Sequence, residues 1–395
     1  MEHLFHVAPY TGYVYPNETV FPWTVLIVVY PYLTGLVAGA FTVSSFYHVF
    51  GLEQFRPVSR LALLTALAFM IFVPFPLLMH LGHPERALNA MVTPHITSAF
   101  VAFGYFALFY VCLLMLEIWF VFRVDIVAHA ESSTGLVRQF YRALALWSDD
   151  VSEKARAVDR KFMFLLAVTG IPAAHGLHGY VGFVFASLKS REWWGLDMMP
   201  AVFLFSAIIS GVALLIVLYI VVSKIRRVPI EEDCVRGLVL ALWGFMMFTL
   251  LLEGVEFATL VYKAKEGIDV ILEYVANDLF YRFFVFQFGV GALLPIIMIT
   301  IMVFRKVRGK TFIAVAFISG CLVLLQVFLM RWNVVISGQE IAKTMRGLLE
   351  YHVPLLGREG LLVALTALVG PFFLLWFFTR VLPPWLDKPA TTGDQ

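Results

Sequence analysis

Nine separate runs of this chain stay apolar for about 20 residues or more, the length a helix needs to cross the hydrocarbon of a bilayer. They fall at about 23–47, 58–80, 97–122, 161–188, 198–222, 236–262, 280–304, 312–336 and 359–380. A lipid environment admits only structures that satisfy their own backbone hydrogen bonds, and runs of this length do so as helices. The expected fold class is therefore all-α: a polytopic transmembrane helix bundle of about nine spans, with eight to ten allowed by the soft run ends. Composition agrees, since 61% of residues are hydrophobic and only 14% are charged, against roughly a quarter in soluble domains.

Charge placement gives an orientation. Let side A be the side of the bundle that holds the start of span 1, and side B the other. The connections on side B carry 19 Lys and Arg residues, and those on side A carry eight. The positive-inside rule then makes B the cytoplasm, with the N-terminus outside and the C-terminus inside. The expected organisation is an outer segment 1–22, a helical membrane domain 23–380 and a cytoplasmic tail 381–395. The domain carries an inner loop at 124–160 and an outer loop at 337–358. Phe140 and Trp147 are candidate surface anchors of the inner loop. Residues 1–22 contain no Lys or Arg, so the basic region of a cleavable signal peptide is missing.

Ionisable residues inside a membrane are costly and are functional candidates by default. Span 4 carries "PAAHGLHGYVG", with His175 and His178 one turn apart on the same face. His178 lies about 24 Å along the helix, toward the outer side of a ~30 Å core. His80 closes span 2, and Trp23 and Tyr30 open span 1. Together His178, His175, His80, Tyr30 and Trp23 are expected to line one pocket near the outer face. Aromatic walls with a few hydrogen-bonding groups suit a flat, lipid-soluble ligand with polar tips, such as a quinone. Each residue also has a plainer role open to it. A buried histidine is often satisfied by a backbone carbonyl, Tyr30 by packing, and Trp23 by an interfacial belt. His83, Glu85 and Arg86 could form a solvated loop.

A second group joins "LLLEGVEFATL" of span 6 to "FLMRWNVV" of span 8. Glu253 and Glu256 share a face, and Arg331 sits at similar depth. The expectation is an Arg–Glu pair, read either as a packing device or as a proton-transfer element with one carboxylate left over. Glu117 of span 3 joins this proton-transfer set. Asp278 and Arg282 are expected to pair at the start of span 7. Gln339, Glu340 and His352 are expected in an outer docking surface or cover. Cys112, Cys234 and Cys321 are far apart in sequence and include no CxxC pair, which excludes a self-contained thiolate zinc site or iron–sulfur cluster. His175 and His178 on one helix cannot clamp one haem iron from opposite faces, which leaves His80 with His178 as the open pairing; the expectation is no metal ligand and no haem.

The stretches "FPWTVLIVVYPYLTGLVAGAF", "LLMHLGHPERALNAMVTPHITSAF" and "HGLHGYVGFVFASLKSREWWGLDMMPAVFLFSAIISGVAL" resemble the NrfD/PsrC family of quinone-interacting membrane subunits. Within that family, "LMRWNVVISGQEIAKT" and the long "HPERALNAM" loop are most similar to the DsrP type of the DsrMKJOP complex of dissimilatory sulfur metabolism. The resemblance implies a subunit of the inner membrane of a bacterium or archaeon that holds no redox cofactor of its own. Menaquinone or menaquinol would be its exchangeable substrate. Electrons would pass to or from an outer ferredoxin-like iron–sulfur subunit. A multihaem cytochrome and a haem b membrane subunit would be further neighbours, and nucleic acid would have no part. By position, His80 replaces an Asp common in the family, and His178 a Tyr of some members. The rival readings are a secondary transporter, and a cofactor-free membrane anchor of a hydrogenase or polysulfide reductase type of complex. A transporter predicts an inverted repeat and unwound helices near the midplane.

Overall fold

The structure is a computed structural model that describes residues 20–95, 97–264, 267–345 and 347–385. Most of the expected N-terminal segment and tail lie outside the described residues, as do Lys265, Arg346 and Lys388 of the charge comparison. Nine helices among the described residues are long and apolar enough to cross a membrane: Val25–His48, Glu53–His80, Ala99–Ser132, Glu153–Ala186, Met199–Arg226, Glu232–Lys263, Tyr281–Phe304, Gly309–Glu340 and Leu361–Val381. They are called spans 1 to 9. The protein is an all-helical, multi-pass integral membrane protein.

The ends of the spans tie together at two levels, as an alternating bundle requires. On side A, Trp23 stacks on Trp194 of the 4–5 connection at 4.8 Å and exchanges two backbone hydrogen bonds with the Gln339 side chain at the end of span 8. Arg358 donates to the carbonyls of Leu78 and Leu81 at the end of span 2. On side B, Arg60 pairs with Asp125 at 2.8 Å and Arg236 donates to the Val307 carbonyl. The polar stretch between spans 3 and 4 is mostly helix. Span 3 runs on to Ser132, span 4 begins at Glu153, and a short helix, Gly135–Leu144, lies between them. Buried Arg123 joins the two long helices by a 2.7 Å ion pair to Asp159. Phe140 and Trp147 are exposed.

Span 1 is buried along nearly its whole length and packs against spans 2, 4 and 5. Its sequence explains how. In lipid, apolar surface gives helices little reason to associate, and close backbone approach has to supply the contact. Gly35 and Gly39, four residues apart, face Ala207 and Gly211 of span 5. A Cβ on Gly39 would stand 2.4 Å from the Ala207 carbonyl oxygen, and one on Gly211 only 2.3 Å from the Gly39 backbone. The clash is with backbone, so no rotamer change relieves it. Gly182 of span 4 plays the same part against the start of span 5, where a Cβ would meet the Met199 oxygen at 2.7 Å.

Two spans depart from regular α geometry. Residues Tyr281–Leu293 of span 7 and Asn333–Ser337 at the end of span 8 wind as π-helix. Such widened turns are rare and concentrate at functional sites. The close glycine contacts carry a prediction of their own. Gly211→Val should lower the yield of monodisperse detergent-solubilised protein and its melting midpoint, whereas Gly176→Ala, whose Cβ meets nothing within 4 Å, should change neither. Size-exclusion chromatography with a thermal melt checks both.

Candidate functional site

Arg331 is a fully buried guanidinium inside a membrane bundle, a position that costs about 3 kcal/mol on insertion scales. One of its terminal nitrogens donates to Ser206 Oγ at 2.6 Å, to His178 Nε2 at 3.0 Å and to the Phe203 carbonyl at 3.3 Å. Its planar head lies 3.8 Å from the centre of the Phe203 ring. Hydrogen bonds from a charged donor contribute about 1.5–3 kcal/mol each, and a desolvated cation–π contact about 2 kcal/mol. That set is sufficient to hold the charge in place. Arginine has only donors, so His178 Nε2 accepts and the neutral ring carries its proton on Nδ1. This Nδ1 has no hydrogen-bond partner among the described residues. Gly35 makes room for the ring, since a Cβ there would stand 3.3 Å from His178 Cε1.

The structure thus joins residues that the sequence places in two groups, and it changes the partner. Arg331 reaches His178, not Glu253 or Glu256. Among the described residues, no carboxylate oxygen comes within the 4.0 Å of an ion pair with it. Glu253 is an electrostatic neighbour of Arg331 beyond that distance. The expected common pocket of five residues is also taken apart. His175 is engaged at both ring nitrogens, with the Ile171 carbonyl at 2.7 Å and Thr42 Oγ1 at 3.1 Å. Tyr30 packs edge-on against Phe103, and Trp23 is held between Trp194 and Gln339. His80 faces Glu359 at 3.4 Å. These four side chains fasten span to span or span to connection, and none lines the cavity described next. Glu117 is buried in span 3 with both oxygens unpartnered among the described residues, as is the hydroxyl of Tyr110 two turns away on the same helix.

A cavity of about 320 Å³ opens between spans 5, 6, 7 and 8. Trp193, Phe257, Phe283 and Phe288 supply aromatic walls, and Glu253, Glu256, Gln287 and Asn333 supply the polar groups. The two π-helical segments meet here, with Asn333 Nδ2 donating to Gln287 Oε1 at 2.7 Å. Met330 and Asn333 line the cavity, so Arg331 stands between two wall residues. Three buried acceptor atoms at the cavity residues have no partner among the described residues: Glu253 Oε1, Glu256 Oε1 and Asn333 Oδ1. Span 6 meets the π-helical part of span 7 at Phe257 and Phe283, 6.4 Å between ring centres, and packs more closely on its later, α-helical part. Exposed Gly254 and Phe284 line the cavity between these two spans. Glu256 also lines a smaller cleft with Asp197 and Lys263, the residues of an exposed ion pair at the side A surface.

The sequence reading misses Gln287, Asn333, Trp193, Phe203 and Ser206 as site residues. Gln287 and Asn333 carry a readable signal, an amide inside an apolar run. Ser206 and Phe203 carry none, because both occur commonly in such helices. Two further expectations are corrected. Arg282 pairs with Glu340 at 3.0 Å, not with Asp278, and Tyr274 donates to the same carboxylate. Burial, with that carboxylate beside it, holds the Tyr274 phenol well above its usual range. Gln339 and Glu340 therefore face inward as fasteners of the side A end, while His352 is exposed beside Glu350.

A lysine in place of Arg331 keeps the charge but loses the planar fork and its ring contact. Arg331→Lys should cost about 2 kcal/mol, about one charged hydrogen bond. His178→Gln, whose amide oxygen can accept the same bond, should cost less than His178→Ala. Melting midpoints of the purified variants give the order.

The comparisons with known proteins agree on one family. The family model for "Polysulphide reductase, NrfD" matches residues 15–342. The chain is 32% identical over 385 residues to a subunit of the selenate reductase of Mesobacillus selenatarsenatis, covering 93% of this chain and 86% of that one. It is 28% identical over 231 residues to a Halobacterium salinarum protein named as a dimethyl sulfoxide reductase membrane subunit, covering 58% and 50%. It is 25% identical over 324 residues to an Hdr-like menaquinol oxidoreductase integral membrane subunit of Archaeoglobus fulgidus, covering 80% and 71%. Nine apolar spans, a family match over residues 15–342 and a relative 32% identical over 93% of the chain show that this chain belongs to the NrfD family, the multi-pass membrane subunits of quinone-interacting oxidoreductase complexes.

Proposed function

We propose that the chain binds menaquinol in the cavity between spans 5 and 8 and is the site of its oxidation. The observation that carries this reading is an aromatic cavity lined by Glu253, Glu256 and Asn333, each with one buried oxygen that has no partner among the described residues. Unpartnered buried acceptors favour a ligand that brings donors. A quinol brings two hydroxyl groups on a flat ring, and it arrives from the bilayer. Its oxidation releases two electrons and two protons. Glu253 and Glu256 take the protons from the hydroxyl oxygens, and Glu256 stands at the cleft that leads to Asp197 and the side A surface. Arg331, one residue back from the wall, offsets the negative charge of Glu253, and His178 holds its guanidinium in position. His175 fastens span 4 to span 1, Tyr30 packs span 1 on span 3, His80 faces the connection before span 9, and Trp23 ties the start of span 1 to the end of span 8. Glu117 of span 3 does not line this cavity, and its two unpartnered oxygens make it a separate buried proton-exchange candidate.

The electrons pass to an iron–sulfur partner docked on side A, taken as the outside from the charge asymmetry. Exposed Leu88, Val92, Leu355 and Leu356 in the side A connections offer apolar docking surface for it. The finer role is an acceptor complex for oxidised sulfur or selenium compounds. The resemblance to the DsrP type favours sulfur metabolism. The names selenate reductase and dimethyl sulfoxide reductase on two relatives have the same kind of acceptor chemistry, and menaquinol appears in the name of a third.

Titration of the purified subunit with a fluorescent quinol analogue tests the site. Glu253→Gln and Glu256→Gln should each weaken binding about tenfold, equivalent to about 1.4 kcal/mol. Gly254→Leu should abolish binding with the melting midpoint unchanged, because a Cβ at Gly254 meets nothing within 4 Å while the larger side chain enters the cavity. Wild-type affinity in all three variants would overturn the site. Loss of binding in His178→Ala alone would move the quinol to the histidines of span 4.

A further inference from the structure

Another cluster of unpartnered polar atoms lies among spans 1, 3 and 4, away from the cavity. Phe41 of span 1 packs edge-on against Tyr110 of span 3 at 5.7 Å, and a Cβ on Gly170 of span 4 would stand 2.1 Å from the Phe41 ring. The three spans meet at this ring. Spans 1 and 3 run the same way, so residues that follow Phe41 and Tyr110 on these faces lie toward side B. Ser44 is one turn and His48 two turns beyond Phe41, and Glu117 is two turns beyond Tyr110. Ser44 Oγ, His48 Nε2, the Tyr110 hydroxyl and both oxygens of Glu117 are buried without a hydrogen-bond partner among the described residues. Glu117 is 1% exposed and is an electrostatic neighbour of Tyr110. It lies about 9 Å along the helix before Arg123, at the side B end. The charged groups there are engaged with one another: Arg60 of span 2 with Asp125, Arg123 with Asp159 of span 4, and Arg142 of the short helix with Asp149. Span 4 has no titratable residue between Lys161 and His175, and span 2 has none between Arg60 and His80. On span 1, Tyr47 and His48 are at the depth of Glu117, and Arg60 is an electrostatic neighbour of His48.

We propose that Glu117 is a proton-binding site served from side B: it holds a proton as the neutral acid and exchanges it with the side B surface past His48. A carboxylate buried with no cation and no donor is strongly disfavoured in a membrane interior, so the resting group is the acid. A fixed acid that only packs would be expected to spend its O–H on a neighbouring carbonyl. Here both oxygens are left over, and so are the polar atoms that follow the same helix faces toward side B and back to Tyr110. Groups of this kind are each able to take a bound water, which carries a proton between them. The exchange breaks the carboxyl O–H and forms an O–H or N–H bond at the group that receives the proton, with no electron moved. His48 is suited to that place, since its Nε2 is unpartnered and histidine exchanges protons near neutral pH. The site shares no residue with the quinol cavity, whose proton outlet faces side A. It goes beyond the quinol reading and does not rest on it.

The test uses the full-length chain in lipid and infrared spectroscopy at neutral pH. A neutral carboxylic acid has its own carbonyl stretch, which shifts when deuterium replaces its proton. The wild type should show such a band that is missing in Glu117→Gln and moved in Glu117→Asp, so the assignment does not depend on one variant. On transfer to heavy water the band should shift. His48→Phe should keep the band and slow that shift about tenfold, the rate equivalent of about 1.4 kcal/mol. Ser44→Ala should slow it less. His80→Phe, at the side A end of span 2, should leave the rate unchanged. Identical spectra for wild type and Glu117→Gln overturn the proposal, because the group is then not the acid. A band that never shifts in heavy water overturns it too, leaving an acid that only packs. A rate that ignores His48→Phe, or that falls in His80→Phe, overturns the side B route. Quinol titration of Glu117→Gln should match the wild type, and failure of the quinol site would leave the Glu117 band and its exchange as they are.

Discussion

The centre of this bundle is organised by the burial of one positive charge. Arg331 is fully buried and, among the described residues, has no carboxylate in ion-pair range. It is held by a histidine from span 4, a serine and a carbonyl from span 5, and the face of Phe203. A charge so placed couples three spans, because withdrawing span 4 or span 5 takes acceptors away from the one nitrogen that makes these bonds in a medium of low dielectric. The small residues of span 1 are part of the same arrangement. Gly35 gives His178 its space, and Gly39 against Gly211 brings the backbones of spans 1 and 5 into contact.

From that charge the polar architecture extends in one direction. Asn333 is two residues beyond Arg331, and the helix changes from α to π winding there. The change turns Asn333 toward Gln287, which is itself on a π-helical stretch of span 7. The two π-helical segments are joined there by one amide–amide hydrogen bond, and the cavity beside them is bordered by Glu253 and Glu256. Below it, Gly291 lets spans 7 and 8 close up again, since a Cβ there would lie 2.5 Å from that of Gln326. Tight packing on both sides of a loose zone is what gives a membrane protein a ligand-sized opening without a loss of the bundle.

Much of this is legible in the residues. The nine apolar runs match the nine spans to within a few residues at most ends, because hydrocarbon thickness sets helix length. The histidines of span 4 and the arginine of span 8 stand out since charge and polarity are rare at that depth. Their pairing is not legible. Depth along a helix follows from counting, but the direction of a side chain depends on which spans are neighbours and how each is rotated. Depth alone matches Arg331 with Glu253, whereas the rotation of span 8 turns the guanidinium toward His178. Depth groups Tyr30, His80 and Trp23 in the same way, and each is fastened to a partner on a different element.

By itself, the sequence determined the class of fold, the number of crossings and the small set of polar residues that a membrane interior must account for. Those follow from local hydrophobicity and from the cost of buried charge, which are properties of residues one at a time. Only the tertiary structure decided which polar groups meet, where the bundle opens and which face of each helix looks into the opening. These depend on close backbone contacts such as Gly39 with Gly211, and on the π-helical turns at Gln287 and Asn333. Both arise from packing between distant segments, and no single segment carries the information.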